Sequence, residues 1–433
     1  MDNVSLARIT MGTSLAFHIV FAVIGVGLPV LLSAAEGLGL WRKDAVWTDL
    51  ARRWSLAFGI LFAVGAVSGT VLSFELGLLW PRFMALSGSM IGLPFSAEGF
   101  AFFLEAIFLG LYLYGWNRLS PLAHWLTSIP IAISGAASAL FVVMTNAWMN
   151  HPAGFELVNG QVTKVDPLAA AFNAATPTED VHMLVSAYVC TGFLVASAYA
   201  AGMLRGRLDA AHRRGLAAGM TMGVAAIALA GVTGDSSARF VYTDQPAKFA
   251  AMEGLYRTLH GAPLHIGGIP LESQQRVVFG LEIPRGLSLL AAFDPNAEVK
   301  GLNEVPAADR PNPILVHLSF DTMVGLGTLL GILALVFWGV AWRGRAIPTV
   351  RPLLMVLALA GPAAVIAMEA GWFVTEFGRQ PWVVYGILRT AQAATPVQGL
   401  FISLLAFLLI YLALAVTTAR LLLLLAERRR RAE

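Results

Sequence analysis

Long apolar runs alternate with short polar segments over most of the chain. Charged residues and Pro/Gly clusters bound each run, and the runs reach the ~20 residues that a helix needs to cross a bilayer. The pattern predicts nine membrane-spanning helices, at residues 7–35, 53–80, 95–117, 121–149, 180–204, 214–233, 313–342, 350–375 and 396–425. We therefore expect an all-α, polytopic membrane bundle organised as helices 1–6 (residues 1–233), a polar connection (234–312) and helices 7–9 (313–433).

The composition supports a membrane protein and removes several kinds of chemistry. Of the 433 residues, 57% are hydrophobic and 13% are charged, whereas a soluble domain carries about 25% charged residues. Cys190 is the single cysteine, which excludes a disulfide framework, a cysteine-ligated iron–sulfur cluster and the attachment of c-type haem. Any metal chemistry must therefore use His, Met or carboxylate side chains.

The basic residues predict the orientation. One set of segments between the predicted helices holds 17 of the 29 Lys and Arg residues, including the terminal run 428–431, and the opposite short segments hold five. By the positive-inside rule, the N-terminus lies outside and the C-terminus in the cytoplasm. The first ten residues lack the basic region of a signal peptide, so helix 1 is expected to be retained. The net charge of +3 reflects this asymmetry and not nucleic-acid binding, and the terminal arginines are expected to meet anionic lipid.

Ionisable residues within the predicted spans mark candidate sites, because each costs several kcal/mol to insert. They are His18, Glu75, Glu98, Glu105, His182, His317, Asp321, Glu369 and Glu376. In the predicted orientation the candidate metal ligands, His18, Glu98, His182, Met323 and Glu376, all fall in the outer half of the membrane, on the side of the long connection. Taken singly, a membrane His or Met is more often a packing residue, so their convergence is the stronger argument.

The spacing of these residues suggests further roles. Glu98 and Glu105 are seven residues apart, which places them on one helix face about 10 Å apart, and Glu369 and Glu376 repeat that spacing. Such pairs indicate a proton relay or acidic ligands. His317 and Asp321 are one turn apart and are expected to pair with each other, whereas Glu75 has no partner visible in the sequence. Helix 5 is expected to begin before residue 180, because His182 otherwise lies too near its start.

Two local strings add candidate binding chemistry. In the string 378–382, GRQPW, Arg379 can form forked hydrogen bonds to a carboxylate such as a haem propionate, although Pro381 and Trp382 also resemble an ordinary interfacial anchor. In the long connection, Lys248 and Glu253 flank Phe249. A cation, an acid and an aromatic ring can bind a quinol head group, and the alternative is a solvated salt bridge.

Strings along almost the whole chain resemble subunit I of the cytochrome bd quinol oxidases. They are TSLAFHIVF, AEGFAFFLEAIFLGLYLYGWNRL, TNAWMNHP, VHMLVSAYV, DQPAKFAAMEG, TMVGLG and MEAGWFVTEFGRQPW. The last string is highly specific. The long insertion that some members carry before helix 7 is missing, so the chain resembles the branch with a short Q loop, which is often insensitive to cyanide. The position two residues before Met323 is basic in some members and is Asp321 here.

The resemblance implies a set of roles. His182 and Met323 match the axial ligands of the low-spin haem b, and His18, Glu98 and Glu376 match the residues that hold the high-spin haem b and haem d, or a third haem b. Glu105 matches the inner acid of the proton route. Lys248 and Glu253 match the loop pair tied to quinol oxidation, so residues 234–312 resemble the Q loop.

The resemblance implies an oxidase that takes electrons from quinol outside and reduces O₂ to water, and so contributes to the proton motive force without pumping. The implied partners are subunit II, a small single-span subunit, quinol, O₂ and membrane lipid, in the bacterial inner membrane. From the residues alone, a proton-coupled secondary transporter is the rival class, with the stacked carboxylates carrying protons. A haem-binding assembly subunit without turnover is a third alternative.

Overall fold

Nine long helices dominate the computed structural model, which describes residues 2–430. They are α1 (Asn3–Arg42), α2 (Ala45–Leu79), α3 (Pro81–Gly115), α4 (Pro121–Asn150), α6 (Thr176–Leu204), α7 (Ala210–Asp244), α10 (Pro313–Gly344), α11 (Arg351–Arg379) and α13 (Leu400–Arg430). Short helices lie between them: α5 (Pro167–Ala171), α8 (Pro246–Met252), α9 (Gly286–Ala292) and α12 (Thr390–Ala393). Each predicted span falls on one long helix, which confirms the polytopic helical bundle. Arg431, the last residue of the basic run predicted to meet lipid, lies outside the described residues.

Capping residues explain where several of these helices begin. Asp44 accepts a hydrogen bond from the backbone N–H of Val46 at the start of α2. Asn312 accepts bonds from Ile314 and Leu315 at the start of α10, which also has a proline in its first turn. Both are the side chains that satisfy free N–H groups at a helix N-terminus. The breaks between apolar runs are therefore specified locally by the sequence.

The long helices form two neighbouring groups. Helices α1 to α4 enclose one apolar core, in which Phe58, Tyr112 and Ile131 are fully buried. Helices α6, α7, α10 and α11 enclose a second core, which includes Phe193 and Phe337. Helices α1 and α4 pack against α6 and join the groups, and α13 packs against α1 and α2.

The helix before the long connection extends further than the sequence predicts. Helix α7 continues to Asp244, so the end predicted at residue 233 is too early. The polar residues that suggested a loop are accommodated in the helix, because Arg239 and Asp235 form an ion pair one turn apart, with Nε and Oδ2 2.8 Å apart. Helix α6 begins at Thr176, as expected from the position of His182, and residues 172–175 separate it from α5.

The connection between α7 and α10 contains short antiparallel strand pairs. Its strands are β3 (Leu259–His260), β4 (Leu264–Ile266), β5 (Ile269–Leu271), β6 (Arg276–Val278), β7 (Leu281–Ile283) and β8 (Glu298–Val299), paired as β3–β8, β4–β7 and β5–β6. Short 3₁₀ turns follow at Leu302–Glu304 and Ala307–Asp309. Two further hairpins join other helices: β1 (Glu156–Val158) with β2 (Gln161–Thr163), and β9 (Trp382–Val384) with β10 (Leu388–Arg389). We call the side of the bundle that carries residues 245–312 the loop side.

Candidate functional site

A network of hydrogen-bonded polar side chains lies where four helices meet on the loop side. Asn146 near the end of α4 donates from Nδ2 to Oε1 of Glu376 on α11, at 2.7 Å. One turn later, Asn150 donates to Oε1 of Glu179 at 2.8 Å and contacts the Thr375 hydroxyl at 3.2 Å. The network therefore links the ends of α4 and α11 to the start of α6.

Arg379 belongs to this network and is 1% exposed. One terminal nitrogen of its guanidinium donates to Oε2 of Glu376 at 2.7 Å, and the other donates to Oδ1 of Asn150 at 3.4 Å. The Nε atom of Arg379 has no hydrogen-bond partner among the described residues. The carboxylate that Arg379 meets in this structure is thus Glu376, and one N–H remains free for a further acceptor.

Lys248 of α8 reaches the same network from the long connection. Its side chain is 4% exposed, and Nζ lies 3.3 Å from the Thr375 hydroxyl. Burial lowers the pKa of Lys248 to about 8, and the neighbouring Glu179 carboxylate acts in the opposite direction. The ammonium group therefore lies close to the balance between its charged and neutral forms.

A glycine on α11 makes room for Lys248. A Cβ atom at Gly378 would lie 2.7 Å from Cγ of Lys248, a distance that real Cβ atoms essentially never show. We expect Gly378→Ala to displace the lysine. If Lys248 serves quinol oxidation, as the resemblance implies, quinol-driven oxygen uptake should then fall about tenfold or more, because small shifts of a positioned group are costly. Haem content should be unchanged. Gly386→Ala is the control for assembly. Gly386 lies on the same side of the bundle at a positive φ, so alanine there strains the backbone, but its Cβ would point into open space and displace no side chain. Full activity in Gly378→Ala would show that the position of Lys248 does not matter.

Glu253 follows α8 and lies apart from the Lys248 network. Its side chain is 5% exposed, and burial together with the nearby Asp321 carboxylate raises its pKa to about 8. No ion pair between Glu253 and Lys248 occurs in the described part of the chain, and both side chains are buried. The alternative of a solvated salt bridge is therefore wrong.

His317 connects α10 to the segment that carries Glu253. Its Nδ1 lies 2.7 Å from the carbonyl oxygen of Met252, and its Nε2 lies 3.2 Å from Oδ2 of Asp321. The predicted pairing of His317 with Asp321 is confirmed. The contact between His317 and the Met252 carbonyl joins the end of α8 to α10, next to Glu253.

His182 and Met323 each lie beside a glycine of a neighbouring helix. Nδ1 of His182 on α6 lies 3.0 Å from the Thr233 hydroxyl on α7, and a Cβ atom at Gly234 would lie 3.2 Å from the ring. A Cβ atom at Gly371 on α11 would lie 3.0 Å from the sulfur of Met323 on α10. The two side chains thus lie among α6, α7, α10 and α11, and each is in close contact with a glycine of a neighbouring helix.

His18 on α1 has a similar environment. Its Nδ1 lies 2.9 Å from the Ser68 hydroxyl on α2, and a Cβ atom at Gly69 would lie 3.0 Å from the ring. As in His182, the hydroxyl fixes the ring through Nδ1, which leaves Nε2 as the nitrogen for a metal. Imidazole and thioether side chains are donors that haem iron accepts, so the chemistry of these residues fits haem.

The first carboxylate pair lies on one face of α3, as its spacing predicts. Glu98 meets the Ser138 hydroxyl of α4, and a Cβ atom at Gly135 would lie 3.1 Å from Oε1 of Glu105. Glu105 is 5% exposed, and its Oε1 has no hydrogen-bond partner among the described residues.

The second carboxylate pair, on α11, differs from the first. Glu376 is hydrogen-bonded by Asn146 and Arg379, whereas neither carboxylate oxygen of Glu369 has a partner among residues 2–430. Trp382 lies outside this pair, and the Arg389 guanidinium lies over its ring at 4.8 Å.

Several site residues escape the sequence analysis. Glu179 lies one residue before the span predicted at 180–204, and Asn146, Asn150 and Thr375 are neutral and so do not stand out within apolar runs. The spacing of Asn146 and Asn150, one turn apart at the end of an apolar run, could have identified them. Glu36, just beyond a predicted span, was also missed.

Comparisons with known proteins all identify the same family. The family model of cytochrome bd terminal oxidase subunit I matches residues 6–430. A Bacillus subtilis (strain 168) protein named as a cytochrome bd menaquinol oxidase subunit I is 38% identical, covering 98% of this chain and 96% of that protein. The cytochrome bd-II ubiquinol oxidase subunit 1 of Escherichia coli (strain K12) is 30% identical, with 90% of each chain covered. A chain in the structure of bd oxidase from Geobacillus thermodenitrificans superposes with a TM-score of 0.93, at 41% identity and 99% coverage of both chains.

Proposed function

This chain belongs to the cytochrome bd terminal oxidase subunit I family, and from that premise we propose how its residues carry out the reaction. It is an integral membrane subunit of a quinol:O₂ oxidoreductase and works with a subunit II. The observation that carries the proposal is the burial of Lys248 and Glu253 beneath the loop, with Lys248 reaching the network around Glu376. Quinol oxidation on the loop side is thereby joined to candidate metal ligands in the membrane.

Three haems are assigned to the ligand sets. His182 and Met323 hold the low-spin haem b, and His18, Glu98 and Glu376 hold the high-spin haem b and haem d or a third haem b. When bound, the haems supply electron transfer and the binding and reduction of O₂. Thr233 and Ser68 orient the two imidazoles, Asn146 and Arg379 orient Glu376, and the free Nε of Arg379 is the donor for a propionate. We also assign Trp382, three residues after Arg379 and beneath the Arg389 guanidinium, to the binding of this haem.

The long connection acts as the quinol-oxidising Q loop. Glu253 in its carboxylate form accepts a proton from a quinol hydroxyl, while the Lys248 ammonium group donates a hydrogen bond to the head group. A base works best when its pKa lies near the operating pH, and burial brings the pKa of Glu253 to about 8. The relatives are named as menaquinol and ubiquinol oxidases, and both quinols carry the hydroxyl that Glu253 requires.

A pH profile of Glu253→Gln tests this role. Below its pKa of about 8 Glu253 is increasingly neutral and cannot accept a proton, so quinol-driven oxygen uptake should rise with pH towards 8 in the unmodified complex. Glu253→Gln should lose that rise and fall about a hundredfold in rate, while dithionite still reduces all the haems.

Glu282→Gln is the matched control, because Glu282 lies on an exposed strand of the same loop. It should keep both the rate and the pH profile. Unchanged oxygen uptake in Glu253→Gln would remove this carboxylate from quinol oxidation.

The orientation of the chain determines on which side of the membrane protons are released and taken up. With the loop side outside the bacterial inner membrane, quinol releases its protons outside, and protons for water formation come from the cytoplasm. Glu105, two turns further from the loop side than Glu98, delivers them without a pump. A small single-span subunit completes the complex.

A further inference from the structure

A second buried cluster lies on the side of the bundle opposite the loop side. His124 at the start of α4, Glu36 near the end of α1 and Tyr112 near the end of α3 are 3%, 5% and 0% exposed. Nδ1 of His124 lies 2.6 Å from Oε1 of Glu36, and the Tyr112 hydroxyl donates to Oε2 of Glu36 at 2.5 Å. Neither the quinol site nor the candidate haem ligands involve these three side chains.

The geometry of the cluster fixes how many protons it holds. Nε2 of His124 lies 2.9 Å from the carbonyl oxygen of Tyr112, and a carbonyl only accepts, so Nε2 carries a hydrogen. The short contact between Nδ1 and Glu36 then needs one proton, carried either by the ring or by the acid. In both arrangements the pair has no net charge and holds one transferable proton.

The cluster continues the line of carboxylates on α3. Tyr112 is seven residues beyond Glu105, as Glu105 is beyond Glu98, so the three share one helix face at intervals of about 10 Å. Hydroxyl groups lie along the facing helices: Ser128 of α4 donates to Ser33 of α1 at 2.9 Å. Since 10 Å exceeds a single hydrogen bond, transfer along this line requires water between the acids.

We propose that Glu36 and His124 form the proton-loading pair that supplies Glu105 from the cytoplasm, and that Tyr112 positions the Glu36 carboxyl group. The inference rests on the proposed function, because it needs Glu105 to deliver protons. The pair releases its shared proton towards Glu105, which leaves the lone pair of Nδ1 facing a carboxylate. That repulsive arrangement is relieved when one proton returns from the cytoplasm, and no electron moves.

The surface is close enough to refill the pair. His124 lies one turn after Ser120, which is exposed at the start of α4. The His124 ring contacts Trp116 at 4.2 Å between centroids, and the Arg52 guanidinium lies over the Trp116 ring at 5.7 Å. A purely structural role, tying α1, α3 and α4 together, would affect assembly but not the rate of proton uptake in assembled protein.

The experiment measures proton uptake by the complete two-subunit complex in vesicles, with a pH dye, after oxygen is admitted to the fully reduced protein. Glu36→Gln and His124→Gln should each slow uptake about tenfold or more, while quinol reduces the haems at the normal rate and haem content is unchanged. Tyr112→Phe keeps the shared proton and should slow uptake less. His212→Gln is the matched control, because His212 pairs with Asp209 at 2.7 Å on the same side of the bundle but away from α3.

The Glu105→Gln variant, measured in parallel, separates two failures. Normal uptake in both Glu36→Gln and His124→Gln, with slow uptake in Glu105→Gln, overturns the loading pair and leaves the proposed function intact. Normal uptake in all three overturns the role of Glu105 as well. If Glu36→Gln does not assemble, the rate of proton uptake in His124→Gln tests the loading pair by itself.

Discussion

Met323→Leu is expected to convert the low-spin haem to a five-coordinate form with a lower midpoint potential. Leucine keeps most of the volume of methionine but removes the sulfur that we propose as a ligand of the haem iron. Quinol-driven oxygen uptake should fall more than about tenfold, the usual minimum effect of disturbing a metal site. The measurement is the reduced-minus-oxidised spectrum, with a redox titration of the haem b bands.

A Met→Leu substitution elsewhere among α6, α7, α10 and α11 is the control for a change in packing alone. Met220 on α7 is 0% exposed within the core, so Met220→Leu should leave the spectrum and midpoint potential unchanged. An unaltered low-spin spectrum in Met323→Leu would remove Met323 from the site.

Glu105→Gln is expected to slow the oxygen-reducing steps by about a hundredfold, the scale of a lost acid–base group. Glutamine keeps the shape of the side chain beside Gly135 but cannot carry a proton. Quinol binding and reduction of the low-spin haem should be normal, because the residues proposed for both lie on the loop side of this acid. Vesicles that contain the complex and an internal pH dye report oxygen turnover and internal alkalinisation together.

The conservative variant distinguishes acid–base chemistry from packing. Glu105→Asp retains a carboxyl group on the same helix face and should recover a large part of the rate. Normal turnover and alkalinisation in Glu105→Gln would show that protons travel by another route, such as through subunit II.

The sequence predicts the helices well because their signal is local. Apolar runs between caps such as Asp44 and Asn312 specify where helices occur. The end of α7 was misplaced because a pair of charges one turn apart, Asp235 and Arg239, is indistinguishable from loop polarity until the helix is seen. Local patterns therefore locate helices but not their polar extensions.

The sequence predicts only those residues of the candidate site whose side chains carry charge, imidazole or sulfur. His18, His182, Met323 and the glutamates stand out because such side chains are rare in apolar runs. The neutral partners that orient them, Ser68, Thr233 and Asn146, are common in membrane helices and become visible only through distances. The Glu36–His124 pair joins residues 88 positions apart, and no periodicity relates them.

Anaerobic reduction of the purified two-subunit complex by quinol, followed by admission of oxygen, tests the central claim most directly. Quinol alone should bring up the bands of reduced haem b, and oxygen should reoxidise them as it is consumed. Pigment analysis should return three haems per complex. A complex that shows no haem bands, even with dithionite, would contradict the haem assignments and favour a proton-coupled transporter.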